Sequence, residues 1–267
     1  MKYALIYLGT FLTVQSLMAF LAAAVIAMIF PHSGQDQEIL KIILGSVLYS
    51  VATLAIFLYA KWCPVSCDYI KTKPFAVLAT VFVISIAITM PSLWYMEQLP
   101  DYLTKDLMAE TFEKLLKRPE GYIVVGIAAP IVEEIVFRGA ILRKLLEWME
   151  NSFGELTRKK VWIAIAISAT MFSAIHMNPA QMPNAFLIGL LLGWLYYHTG
   201  SVIPGIIYHW MNNTIPFIML WAFPEVKYDA KLIDYFNGNE TAMIMAVVTS
   251  VLVAIPLLWQ LNRLIKK

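Results

Sequence analysis

The sequence predicts an all-α membrane protein: one domain, 1–267, folded as a bundle of about eight transmembrane helices. Three observations carry this. Hydrophobic residues make up 60% of the chain and charged ones only 14%, against about 45–50% and about 25% in soluble domains. The mean hydropathy is +0.69, whereas a chain that stays disordered combines low hydrophobicity with high net charge. The apolar residues also fall in runs long enough to cross hydrocarbon, which takes roughly 20 residues. Other classes drop out on the same arithmetic. Twelve Gly and 13 Pro are too few for a collagen or a linker. A net charge of +2 gives no reason to expect a nucleic-acid partner, and two Cys do not make a disulfide framework.

Eight runs qualify as spans. The first covers about Ala4 to Ile29, the second Leu40 to Ala60 and the third Phe75 to Tyr95. The fourth begins near Gly121 and carries charges; the fifth begins near Val161, the sixth near Ala185 and the seventh near Ser201. The eighth covers Thr241 to Leu261. The first run follows a single Lys and has no small-residue cleavage site, so it reads as a retained helix and not as a signal peptide. Two amphipathic segments fall outside the spans. Thr104–Leu116 is expected as a helix on the outer surface, and Leu142–Phe153 as one on the cytoplasmic side.

Basic residues set the orientation, because cytoplasmic loops are enriched in Lys and Arg. Lys61, Lys71 and Lys73 lie between spans two and three, and Arg143, Lys144, Arg158, Lys159 and Lys160 between spans four and five. Arg263, Lys266 and Lys267 close the chain. The remaining loops are neutral, mixed or acidic, with Asp36 and Glu38 in the first and Glu225, Asp229, Asp234 and Glu240 in the last. Both termini are therefore expected to be cytoplasmic.

Ionisable residues within spans are rare, at about 2.5–3.5 kcal/mol each on insertion scales, and three clusters stand out. The first is Glu133-Glu134 with Arg138. Residues four apart share a helical face, so Glu134 and Arg138 can pair. Glu133 is rotated about 100° from Glu134 and is left without that partner; an unpaired carboxyl in a dry site suits acid–base work. The second is Phe172 with His176, one turn apart, the His lying just before Asn178-Pro179 at a helix end. A helix-terminal His bonded to a carbonyl is an equally good reading of it. The third is His209 with Asn213, four apart on one face and both able to donate hydrogen bonds; Asn212 points elsewhere. Taken together these are a carboxylate, two imidazoles and a carboxamide on three spans, enough for a general base and for donors to an oxyanion. Glu133, His176 and His209 could alternatively hold zinc. No HExxH or GxSxG motif and no serine or cysteine nucleophile is in evidence.

The ordered set EExxxR, FxxxH and HxxxN, here Glu133 to Arg138, Phe172 to His176 and His209 to Asn213, resembles the CPBP family of membrane proteases, also called the Abi family: CAAX proteases and bacteriocin-processing enzymes. The resemblance covers about Ala129 to Asn213, within a motif core of about 121–221. It implies an eight-helix fold with a conical intramembrane cavity and a glutamic intramembrane endopeptidase. Glu133 and His176 would activate water, His209 and Asn213 would form the oxyanion hole, and Glu134, Arg138 and Phe172 would support them. It implies no cofactor, zinc entering only with the metalloprotease alternative. The partners would be a peptide or a lipid-modified protein tail, together with membrane lipid. The location would be an integral membrane one, in a bacterium the inner (cytoplasmic) membrane, with cleavage near the cytoplasmic leaflet. A membrane scaffold or bacteriocin-immunity protein is the non-catalytic alternative, and a transporter a weaker one.

Helix rise raises one difficulty. At 1.5 Å per residue, Glu133 lies roughly 15 Å from Arg143, His209 roughly 13 Å from Gly200 and His176 roughly 24 Å from Lys160. A shared site requires span five to start on a stem protruding from the membrane, with the site in the cytoplasmic half or near the midplane. Other polar residues have plainer readings. Cys63 and Cys67 are expected as reduced thiols in a cytoplasmic loop, His32 and His198 as solvated, and Trp62, Trp94 and Trp162 as interface anchors. Gly189 and Gly193 form a small-xxx-small packing face inside the monomer, and Pro204 and Pro216 are expected to kink span seven.

Overall fold

The computed structural model describes residues 1–30, 35–64 and 74–265, and among them every regular element is helical. Three long helices come first: α1, Lys2–Ile29; α2, Gln35–Tyr59; and α3, Pro74–Glu97. Two short ones follow, α4 (Asp101–Thr104) and α5 (Ala109–Leu116). Next comes one continuous helical stretch, α6, built from Pro119–Gly121, the π-helical Tyr122–Ala128, Ala129–Glu134, the π-helical Ile135–Leu142 and Arg143–Phe153. The chain closes with α7 (Arg158–Ala174), α8 (Met182–Thr199), α9 (Ile203–Ala222), a 3-10 turn at Leu232–Phe236 and α10 (Glu240–Ile265). Among the described residues, four helices are long and apolar enough to cross a membrane: α1, α2 from Gln37, α3 from Phe75, and α10. The other four expected spans are helices too, but shorter or more polar.

Local chemistry explains most boundaries. Thr157 caps α7, its hydroxyl accepting the Lys160 N–H at 3.4 Å. Pro183 and Pro204 occupy first turns of α8 and α9, where a missing N–H does no harm. Pro204 therefore opens its helix instead of kinking it; Pro216 is the proline inside α9. Gly200, with φ +66°, adopts the left-handed conformation that ends α8. The first π segment of α6 has a cause in the sequence. The Ala129 N–H bonds the Val124 carbonyl, five residues back, and Pro130 has no N–H to offer the next carbonyl, that of Val125.

Two apolar cores hold the bundle. One surrounds α6, joining Tyr7, Phe11, Phe57, Phe137 and Phe172. The other lies between α3, α8, α9 and α10, around Val81, Ile84, Leu192, Tyr208 and Leu261. The Gly189 and Gly193 face packs inside the monomer, as expected: a Cβ on Gly189 would meet the Ala169 Cβ at 2.9 Å, and one on Gly193 the Ile165 Cγ2 at 2.8 Å.

Several peripheral expectations need correction. Leu142–Phe153 is no separate surface helix but the end of α6, with Leu145 and Met149 buried in the core. Within Thr104–Leu116 only Ala109–Leu116 forms the expected helix; Leu115 and Leu116 are buried, and its apolar face covers protein, not lipid. Trp62 lies just past the end of α2, partly buried, and stacks on Tyr7 at 4.5 Å. His198 is not in a solvated turn; it sits in the last turn of α8, edge-on to Trp194 at 5.4 Å. Cys63 is a buried residue against Gly139, and burial pushes its thiol up to about 11, so it is protonated at neutral pH. His32, Cys67, Lys71, Lys73, Lys266 and Lys267, like the Asp36 side chain, lie outside the described residues.

Candidate active site

The Glu134–Arg138 pair forms as the helical spacing requires. Arg138 Nη1 donates to Glu134 Oε1 at 2.7 Å, with both side chains essentially inaccessible. Arg138 Nη2 reaches the Gly189 carbonyl at 3.4 Å, and its guanidinium carbon stands 4.4 Å from the centre of the Phe172 ring. The carboxylate is bounded on its far side by α9: a Cβ on Gly205 would lie 2.5 Å from Glu134 Oε2. Glycine at 205 is what lets the two helices close over a buried charge.

His209 stands between the two glutamates. Its Nδ1 is 3.3 Å from Glu134 Oε1 and its Nε2 3.7 Å from Glu133 Oε2. A carboxylate only accepts, so the Nδ1 proton of His209 points at Glu134, and the second nitrogen is turned toward Glu133. The 100° rotation between adjacent helical residues thus assigns one glutamate to each side of the ring. Phe172 fixes both imidazoles, edge-on to His176 at 5.1 Å and to His209 at 5.6 Å.

His176 lies just past the end of α7, and its Nδ1 is 2.9 Å from the Phe172 carbonyl. A carbonyl cannot donate, so Nδ1 carries the proton and Nε2 keeps its lone pair. The helix-end carbonyl bond and a role in the site are therefore compatible. The turn that follows is held firmly. Met177 adopts φ +47°, a left-handed conformation costly for a side chain of its size. It lets the fully buried Asn178 turn onto Asp106, Nδ2 to Oδ1 at 2.8 Å. Asp106 also accepts from the Met108 N–H at 2.8 Å and the Tyr228 hydroxyl at 3.2 Å. Burial, and then the Asp106 charge, push the Tyr228 phenol up, which keeps that donor protonated.

Asn213 does more than sequence spacing suggests. Its Nδ2 donates to the Val125 carbonyl at 3.0 Å, the group that Pro130 deprives of the next π-type donor. Its Oδ1 accepts from Asn212 Nδ2 at 3.3 Å. Asn212, expected to face away, lines the same cavity. One N–H of Asn213 is left over for other work.

A cavity of about 740 Å³ is lined by Glu133, Phe172, His176, His209, Asn212 and Asn213, among others; ligand sites span about 300–1,000 Å³. Asn184 also lines it. It accepts from the Ser92 hydroxyl at 2.7 Å, and the signal for it was an amide near the start of an otherwise apolar span. Phe112 and Leu116 of α5 form part of the wall. Glu133, His176 and His209 all line this cavity, and the extra length counted to His176 is taken up below Arg143, because α6 continues past it to Phe153 before α7 sets out from Arg158. Among the described residues, no three His, Cys, Asp or Glu side chains stand together as a metal set.

Comparison with known families agrees with these motifs. Residues 119–215 match the model of the family described as Rce1-like, type II CAAX prenyl endopeptidase. The matched segment holds every motif residue named above, and over these residues the chain is similar to that family. No curated protein matches the chain, and no solved structure does.

Proposed function

We propose that the chain is a glutamic endopeptidase of the membrane that hydrolyses a peptide or protein tail. The observation that supports this most is the shared cavity, in which the one acid of the pair not held by Arg138 stands beside two imidazoles and a carboxamide. In this reading Glu133 takes a proton from water, with His176 Nε2 as a second acceptor orienting it. The water oxygen attacks the scissile carbonyl carbon. The free N–H of Asn213 and an Nε2–H of His209, whose ring must then carry protons on both nitrogens, stabilise the resulting oxyanion. The C–N bond then breaks, and the proton held by Glu133 passes to the leaving amine. Glu134 and Arg138 hold His209 in register without touching substrate. The eight-span topology with cytoplasmic termini belongs to the same proposal, as does an inner-membrane location in a bacterial host.

Purified protein assayed on a library of fluorogenic peptides tests it, with metal content measured on the same sample. Cleavage should be lost in both Glu133→Ala and His209→Ala and should survive chelation. Full activity in both variants would end the reading. Loss of activity on chelation, restored by zinc, would replace it with the metalloprotease.

A further inference from the structure

The cavity does not open toward the basic loops. Its exposed wall residues include Glu97 at the end of α3, Asp101 in α4, and Asp229 and Lys231 between α9 and the 3-10 turn. They lie at the end of α3 and in the segments that join α3 to α6 and α9 to α10. The basic end of the bundle is the opposite one, where Arg143 donates to the Trp62 carbonyl at 2.8 Å and Lys144 stands over the Tyr3 ring. Following the chain from one end to the other gives the same assignment. α3 arrives at the mouth, α6 leaves it and ends at Arg143–Phe153, α7 returns to His176, and α9 returns again to Ala222. The Lys and Arg clusters that orient a membrane protein therefore lie at the closed end.

We propose that the site is loaded from the non-cytoplasmic face, and that its substrates are peptide segments exposed on that side of the membrane, such as tails or leaders of exported or membrane-anchored proteins. This rests on the endopeptidase reading, and it departs from the expectation of cleavage near the cytoplasmic leaflet. A tail that remains in the cytoplasm would have to cross the closed end of the bundle, which is filled by Phe57, Leu142, Leu145 and Val161.

Single cysteines in a Cys67→Ala background give the test. Cys63 is buried and protonated, so it stays silent to maleimide. In intact cells, a membrane-impermeant maleimide should label Asp229→Cys at the mouth, while Glu155→Cys, in the exposed loop at the basic end, should be labelled only after lysis. Labelling of Glu155→Cys but not of Asp229→Cys in intact cells would overturn the proposal. The second arm uses proteoliposomes sorted by that labelling pattern and an impermeant fluorogenic peptide added outside. Hydrolysis should come from vesicles with Asp229 outward and be at least tenfold lower in the inverted ones. Equal or reversed rates overturn the proposal. The endopeptidase reading is judged separately, by Glu133-dependent cleavage in detergent, where no side is closed.

Discussion

The bundle has two kinds of helix, and they are held by different physics. In α1, α2, α3 and α10, only 11–28% of each apolar window is buried within the protein. Their side chains, such as Phe20, Leu252 and Trp259, are exposed outward, as suits hydrocarbon, and their sequence needs only to be apolar for long enough. In α6 to α9, apolarity is interrupted by Glu134, Arg138, His209 and Asn213, each tied to a named partner on the same or a neighbouring helix. A charge without partners is expensive in such a place. The contrast teaches that the inner helices are specified pair by pair, and the outer ones largely by composition.

Substitutions can sharpen or break that contrast. The largest effect is expected at Glu133, whose change to Gln should lower kcat by about 10²–10⁴-fold, the usual worth of a general base, while the melting temperature in detergent stays put. A parallel fall in melting temperature would make Glu133 structural. Next is Arg138→Ala, which strands the Glu134 carboxylate; breaking a buried pair costs about 3–5 kcal/mol, read as a lower midpoint of thermal or denaturant unfolding. Arg138→Lys should recover only part of it, since one ammonium cannot bond Glu134 and Gly189 while lying over Phe172.

Gly205→Ala should come third, at about 1–3 kcal/mol for overpacking, with activity reduced because the added methyl presses on Glu134 and through it on His209. Asn213→Ala leaves the Val125 carbonyl unpaired, which costs about 1–3 kcal/mol, and it should speed hydrogen exchange of the Tyr122–Ala128 amides as well as slow hydrolysis. At the bottom lies Leu252→Ala on α10, expected within about 0.5 kcal/mol of the parent, as for most exposed substitutions. An effect on the scale of Gly205→Ala there would blur the distinction between the two sets of helices.

How much of this was readable in advance also divides along the same line. Hydropathy alone marks α1, α2, α3 and α10, because burial in lipid is a property of a single helix. The Glu134–Arg138 pair was legible too, since four residues of helix bring them together whatever surrounds them. The partner of Glu133 was not, because His209 comes from a helix 76 positions further on and sequence spacing says nothing about it. Asn213 shows the limit most clearly. Its spacing from His209 suggested a donor, but its bond to Val125 depends on Pro130 and on the π segment, a three-way dependence that no single-helix periodicity contains.

By itself, then, the sequence determined the helical class, the motif residues and the local pairs. All of these follow from composition and from contacts within one turn of helix. Tertiary structure alone decided which glutamate faces which histidine nitrogen, why position 205 must lack a side chain, and at which end of the bundle the cavity opens. Those are relations between helices that the chain joins only through distant loops. Their energies come from close packing and paired charge in a medium without water, where a displacement of an ångström separates a satisfied carboxylate from an orphaned one.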